Sequence, residues 1–406
     1  MDIRGQRVYL ATDAMSTRTR RTGNAADLAC VILAAGKGTR MRSSRAKVLH
    51  TLLGRPLVGY PALLARELGA DPIVAVLGHQ RELVESALVA QFGAGTIRTV
   101  EQVEQRGTGH AVRLAMPVLR RFAGIVVILY GDVPLLRRET VRALVGTARR
   151  YGCLALVTAT PPDPTGYGRI VRDQRGHIIA VVEQKDATAE ELAVGEINAG
   201  IYAAPADFLR TATAGLDARN AQGEYYLTDI VARAARGIGV TAVEADFRDV
   251  AGINDRHQLA ESEAIMRARI NGRWMRHVTF RDAASTVIEP GVQLGVDVEL
   301  GRGVSLRGTT RVGRGAHIDD GAVLVDTIVG AGARLAPYCV AVGAEIAAGA
   351  HIGPLARLPL VGSEGSDGVV AAPAVLPGAP PNGAKGRRAA VGSGKRAVRS
   401  RPPPTP

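Results

Sequence analysis

The chain has 406 residues and a formal net charge of +13; 46% of the residues are hydrophobic but only 4% are aromatic. At about 100–200 residues per domain, that length suggests two or three domains with cores of Val, Leu, Ile and Ala. No apolar run approaches the ~18 residues of a membrane span, and the aromatic interleaving that stacks on bases is absent, so the charge suits phosphorylated ligands or anionic surfaces better than nucleic acid.

Residues 1–27 are polar and aperiodic. Arg18, Arg20 and Arg21 are followed by no apolar stretch of the kind a secretory signal needs. This segment reads as a disordered extension or a mis-assigned start, with Met15 as an alternative first residue. Cys30, Cys153 and Cys339 are far apart, with no CxxC spacing. They read as small buried hydrophobes in a reducing cytoplasm.

Residues 28–255 alternate short apolar runs with amphipathic stretches, the pattern of an α/β domain. Leu28–Leu33, Ile73–Leu77, Ile125–Tyr130 and Leu154–Thr158 are strand-like. The third is apolar throughout, as a strand buried on both faces should be. Arg81–Ala90 and Arg138–Arg149 carry helical patterns. The first strand runs into Gly36-Lys37-Gly38-Thr39-Arg40, where glycines would let a phosphate approach backbone amides. The spacing fits neither GxxxxGK[ST] nor GxGxxG. Lys37, Arg40 and Lys47 nearby suit a triphosphate, although a solvated basic loop would look the same. Gly131-Asp132 follows the buried strand, which places a carboxylate at a strand's carboxyl end, where open α/β sheets bind ligands. A plain turn is the bland alternative.

Residues 256–279 form a helical connector over His257–Ile270. From 280 to 358 aliphatic residues recur every six positions: Ile288, Leu294, Leu300, Leu306, Val312, Ile318 and Leu324. The frame slips by one to Val329 and Leu335, then again to Val340, Ile346, Ile352 and Leu358. That period predicts a parallel β-helix of hexapeptide repeats, with room for about four coils. Residues 359–406 are rich in Pro, Ala, Gly and basic side chains and read as a disordered tail.

Ordered motifs then carry a resemblance. They are Leu33-Ala-Ala-Gly-Lys-Gly-Thr-Arg-Met41, Lys47-Val-Leu-His, Gln102-Val-Glu-Gln-Arg-Gly107-Thr108-Gly-His110, Tyr130-Gly-Asp132, Gly166-Tyr-Gly168-Arg, Val182-Glu183, Glu196-Ile-Asn198, Gly223-Glu-Tyr-Tyr-Leu-Thr-Asp229 and Gly252-Ile-Asn254-Asp. Over about 28–358 the chain resembles the sugar nucleotidyltransferases, in particular the N-acetylglucosamine-1-phosphate uridyltransferases. The fold implied is a Rossmann-like nucleotidyltransferase domain followed by a short left-handed parallel β-helix, which in this family assembles as a homotrimer.

The resemblance implies roles by position. Leu33, Ala34, Ala35 and Gly36 would hold the nucleotide. Arg40 and Lys47 would be the catalytic cations at the phosphates. Gln102, Gly107 and Thr108 would read the uracil, and Tyr130, Gly131 and Asp132 would line the substrate. Asp132 and Asn254 would ligate Mg2+. Gly168, Glu183 and Asn198 would contact the sugar. Each residue also has an ordinary reading. Gln102 could be an exposed polar residue, Glu183 an ion pair with Lys185, and Asn198 a turn residue beside Gly200. His110, after a Gly-Thr-Gly turn, is read as structural.

The chain departs from the family in two places within the domain, with Ser44-Arg45-Ala46 before Lys47 and Arg106 beside the base-reading turn. It also has no His after His351 and no Tyr after Tyr338. The family's second activity, acetyl transfer by a His base, is therefore not expected. The reaction implied is uridylyl transfer from UTP to N-acetylglucosamine 1-phosphate. Another sugar phosphate, a dTTP-using enzyme, or a non-catalytic sugar-nucleotide-binding protein are the alternatives.

Overall fold

The computed structural model describes residues 27–358; the expected amino-terminal extension, apart from Asp27, and the expected tail from 359 lie outside the described residues. The first strand, β1 (Leu28–Ala34), is buried at every position, as its unbroken aliphatic run requires. A short hairpin follows, β2 (Thr51–Leu52) and β3 (Arg55–Pro56), then α1 (Gly59–Glu67), β4 (Ile73–Leu77), α2 (Arg81–Phe92), β5 (Ile97–Glu101) and α3 (Thr108–Ala115). The second half of the sheet domain holds β6 (Ile125–Tyr130), α4 (Arg138–Tyr151), β7 (Leu154–Ala159), β8 (Arg169–Arg172), β9 (Ile178–Val182), α5 (Ala189–Leu192), β10 (Ile197–Pro205), α6 (Ala206–Ala214), α7 (Asp229–Ala235), β11 (Val240–Glu244) and α8 (Phe247–Val250). The connector helix is α9 (Arg256–Trp274).

Helix α4 shows the local logic. Val141, Leu144, Val145 and Ala148 form its buried stripe, and Gly152 at φ 62° ends it in a left-handed cap. Helices α2, α4 and α9 all run past the ends read from sequence, because packing sustains turns whose own pattern has faded.

The main sheet runs β11-β7-β10-β6-β1-β4-β5. Strand β1 is parallel to both neighbours, β4 and β6, whereas β10 is antiparallel to β6 and β7. With strands added outward on both sides of β1, the crevice opens at the carboxyl ends of β1 and β6.

Beyond α9 the chain winds into three parallel sheets of five, five and four short strands. This is the hexapeptide β-helix, with one correction to its register. Ile288, Leu306 and Leu324 stack at intervals of 18 residues, but Leu324 stacks on Ala341 and then Leu358, at intervals of 17. The second slip therefore falls after Ala341. Ala341 is the inward residue at 1% exposure, and Val340 and Val342 face outward. Both shortened corners follow this sheet, where Asp326 and Gly343 turn at φ 48° and 59°.

The two bodies share apolar contacts. Leu53, at the tip of the β2–β3 hairpin, lies in the β-helix core with Ile270 and Ile288. A neighbouring cluster joins Leu52, Leu57, Leu135 and Ile253 to Leu259, Ile265 and Met266 of α9. Asn271 of α9 donates through Nδ2 to the carbonyls of Ala283 and Thr286, at 2.8 and 2.9 Å.

Candidate functional site

The site grows from the ends of β1 and β6. The Gly131 amide donates to the Leu33 carbonyl at 2.9 Å. A Cβ on Gly131 would sit 3.1 Å from Ala34 and 3.2 Å from Val48, tight contacts that a glycine avoids where the acidic turn lies against β1. The Gly36 backbone has open space around it. At Gly38, φ is 64° and a Cβ would overlap the Lys47 side chain. The glycine turn and the Lys47 segment thus pack directly on one another. Met41, the last residue of the Thr39–Met41 turn, is buried.

Four predicted residues meet here. The Lys47 ammonium donates to Asp132 Oδ2 and, at 3.2 Å, to Asn254 Oδ1. Arg40 donates to the same Asn254 oxygen at 2.9 Å. The Asn254 amide is oriented by its surroundings. Its Nδ2 donates to the Gly252 carbonyl at 3.2 Å, its backbone amide donates to Gln258 Oε1 at 2.7 Å, and the next residue, Asp255, caps α9. Oδ1 is thereby aimed at the cations. The Ile253 amide donates to the Asp132 carbonyl at 2.9 Å, which holds the α8–α9 loop against the end of β6.

Asp132 and Asn254 offer two hard oxygens within reach of one ammonium. Among the described residues no group of three or more His, Cys, Asp or Glu side chains could hold a metal. A two-oxygen set fits a small divalent cation that completes its shell with phosphate oxygens and water.

The residues predicted to read the base form a second cluster. Gln102 is buried, with its Nε2 donating to the Gly107 carbonyl at 3.0 Å and facing His110 Nδ1 at 3.2 Å. That leaves Gln102 Oε1 for an incoming donor. Burial lowers the His110 imidazole from its usual value, and in the tautomer with the proton on Nε2 its Nδ1 accepts from Gln102. Gly107 sits at φ 99°, and a Cβ there would lie 2.7 Å from the Tyr225 carbonyl. The Thr108 hydroxyl accepts from the Leu227 amide at 3.2 Å. Arg106 turns its side chain outward onto Glu104, and only its backbone enters the turn, its amide donating to the Glu104 carbonyl at 2.9 Å and its carbonyl accepting from the Tyr225 amide at 2.8 Å. The substitution at this position therefore leaves the turn intact. Similarly, the Ser44–Ala46 segment is held from outside: Gln80 accepts from the Ala46 amide and donates to the Ser44 carbonyl, both at 2.7 Å.

The predicted sugar contacts form a third cluster. The Asn198 amide donates to the Gly168 carbonyl at 2.9 Å, and a Cβ on Gly168 would lie 3.7 Å from the Glu183 carboxyl. Glu183 accepts from the Thr228 hydroxyl at 3.1 Å. Lys185 instead donates to Gln222 at 2.8 Å, so the Glu183–Lys185 pair does not form. Burial holds the Glu183 carboxyl above its usual range. Asn198 is not a turn residue; it lies in β10 beside a register shift, with Oδ1 on the Gly200 amide and Nδ2 on the Tyr202 hydroxyl. Gly200, at φ 79°, lies against the Tyr130 ring, which connects this cluster to Asp132.

Residues 30–197 match the model of the MobA-like NTP transferase domain. Over 303 residues the chain is 47% identical to the bifunctional protein GlmU of Anaeromyxobacter sp. (strain Fw109-5), covering 74% of this chain and 62% of that protein. It is 50% identical over 308 residues to the GlmU of Sorangium cellulosum, covering 74% and 65%, and 48% identical over 302 residues to that of Geobacter sulfurreducens, covering 73% and 63%. The chain thus spans less than two thirds of the length of these relatives.

Three further side chains, not singled out by the sequence, hold these clusters in place. Gln105 donates to the Ala35 carbonyl at 2.7 Å, tying the 102–108 loop to the glycine turn. Thr228 holds Glu183, and Gln80 holds the approach to Lys47. Gln105 and Thr228 stand inside quoted motifs, but nothing in their spacing shows which way their side chains face.

Proposed function

We propose that the chain catalyses uridylyl transfer from UTP to N-acetylglucosamine 1-phosphate, giving UDP-N-acetylglucosamine and pyrophosphate with Mg2+ as cofactor. The observation that supports this most is the convergence of Arg40, Lys47, Asp132 and Asn254 at the carboxyl ends of β1 and β6. A phosphate oxygen of the sugar phosphate attacks the α-phosphorus of UTP. One P–O bond forms as the bond to pyrophosphate breaks. The attacking phosphate is already ionised at neutral pH, so no general base is needed. Transfer then depends on alignment and charge neutralisation.

Lys47 and Arg40 would stabilise charge on the transferring and leaving phosphates. Mg2+ held by Asp132 and Asn254 would neutralise and orient the α-phosphate. Leu33 to Gly36 would cradle the nucleotide, and Gln102, Gly107 and Thr108 would read the uracil edge. Tyr130 and Gly131 would line the sugar phosphate, with Gly168, Glu183 and Asn198 on the sugar. We place the reaction in the cytoplasm; the three thiols are buried and unpaired, and among the described residues no helix is long and apolar enough to cross a membrane. A homotrimer packed through the β-helix accompanies this reading, supported by outward-facing Ile328, Tyr338 and Val342; sedimentation velocity tests it.

Pyrophosphate release with UTP, N-acetylglucosamine 1-phosphate and Mg2+, abolished in Asp132→Ala, tests the reaction. Faster turnover with glucose 1-phosphate or dTTP would move the substrate. Binding of sugar nucleotide with no release would leave a binding protein.

A further inference from the structure

Behind the proposed metal ligands lies a buried charge cluster that the reaction does not use. Asp249, at the carboxyl end of α8, is only 5% exposed. One carboxylate oxygen accepts from Arg137 Nε, the other from an Arg269 NH2 group. The Arg269 guanidinium also donates, through its other terminal nitrogen, to the Leu135 carbonyl at 2.6 Å.

The chain positions give this arrangement its meaning. Leu135 lies three residues after Asp132, and Asp249 lies five residues before Asn254. One guanidinium on α9 therefore bonds both segments that carry the metal-ligand pair. Its own position is fixed two residues later by Asn271, which is tied to the first β-helix coil. Buried ion pairs contribute little net stability compared with apolar packing. Around this one, Leu135 and Ile253 already pack on α9. A planar fork with fixed donor geometry is suited to setting the spacing of two segments.

We propose that Arg269 is a positioning residue for the metal site: it locks the Asp132 segment to the Asn254 segment and so sets the separation of the two oxygens. This rests on the reading that Asp132 and Asn254 take the divalent cation. Arg269→Met removes both bonds. Arg269→Lys keeps the charge but reaches only one acceptor at a time. Arg137, five residues after Asp132, makes a second and half-exposed link to Asp249, so Arg137→Ala removes one link between the segments while leaving Arg269 bonded to both.

The test is Mn2+ affinity of the full chain, measured by electron paramagnetic resonance with a non-hydrolysable UTP analogue, beside steady-state kinetics and thermal unfolding. Losing a residue that orients metal ligands weakens binding by about 10–100-fold. Arg269→Met should fall in that range, with kcat reduced and KM for the sugar phosphate unchanged. Arg269→Lys should be intermediate, and Arg137→Ala, which keeps Arg269 on both segments, should lose less than Arg269→Met. Wild-type Mn2+ affinity in Arg269→Met overturns the proposal, as does a loss shared equally by Mn2+ affinity, KM and folded fraction. If Arg269→Met does not fold, wild-type affinity in Arg269→Lys overturns it. Failure of the reaction itself is separate: the wild type would bind Mn2+ and release no pyrophosphate.

Discussion

Lys47 and Asp132, 85 residues apart, are joined by an ion pair at the mouth of the crevice between β1 and β6. Both side chains are mostly buried, at 13% and 17% exposure, so their charges are poorly screened. The Lys47 ammonium also touches Asn254, which places the predicted phosphate cation within one contact of both predicted metal ligands. Removing a preorganised charge of this kind costs about 10²–10³ in kcat. Lys47→Ala should show that loss in pyrophosphate release per folded molecule, together with a lower thermal midpoint because Asp132 loses its ion-pair partner. A Lys47→Ala enzyme with wild-type turnover would remove Lys47 from the chemistry.

Glu183 gives a pH prediction whose sign is fixed. Burial raises its carboxyl above the ordinary value of 4.5, despite the Thr228 hydroxyl favouring the charged form. Its folded-state pKa therefore exceeds its unfolded one. The stability it contributes is present below pH 4.5 and is lost as pH rises through the folded value. Glu183→Gln should thus be more stable than wild type at neutral pH, with the advantage vanishing on acidification. Thermal midpoints of both proteins between pH 4 and 8 measure it; a wild type that gains on the variant as pH rises would refute it. The same variant should raise KM for the sugar phosphate if Glu183 contacts the sugar.

Much of the site was legible because strand ends are legible. The unbroken run Ile125–Tyr130 announces a doubly buried strand, and a carboxylate straight after it must emerge at the sheet's edge. Asn254 has no such marker. It comes from a loop between two helices, and only the resemblance singled it out. The β-helix register was misread at Val340 because hydrophobicity alone prefers valine to Ala341; the structure points both flanking valines outward and fits the small residue inside a coil shortened by one residue. The Arg269–Asp249 contact was invisible. The chain holds 51 Lys and Arg residues, and no local pattern tells which one folds inward.

Gly200 tests the link between the sugar contacts and Tyr130. Its φ of 79° disfavours any L side chain, and a Cβ would come within 2.9 Å of the Tyr130 ring. A non-glycine residue held in a left-handed conformation costs about 1–3 kcal/mol. Gly200→Ala should lose that much in urea unfolding and displace the ring beside Asp132, lowering kcat as well. An unaltered midpoint would mean that the β10 bulge relaxes freely.

Leu53 provides a prediction in which glycine should outperform alanine. It sits at φ 42° on the hairpin tip, and its side chain is 5% exposed within the β-helix core. Truncating a buried leucine costs about 2–5 kcal/mol through lost burial and the cavity left behind. Both Leu53→Ala and Leu53→Gly lose those atoms. Alanine keeps a Cβ in the left-handed region, which costs roughly 1–2 kcal/mol that glycine avoids. Leu53→Gly should therefore unfold at higher urea than Leu53→Ala, the reverse of the order in a helix or strand. The hairpin begins two residues after the Lys47–Leu49 turn, and the His50 carbonyl accepts from the Leu57 amide at 2.9 Å, so loosening its tip also loosens the support of Lys47. Both variants should lower kcat more than KM for UTP. If Leu53→Ala proves the more stable of the two, the left-handed conformation at the tip is not maintained in solution, and the β-helix does not grip the catalytic domain through this residue.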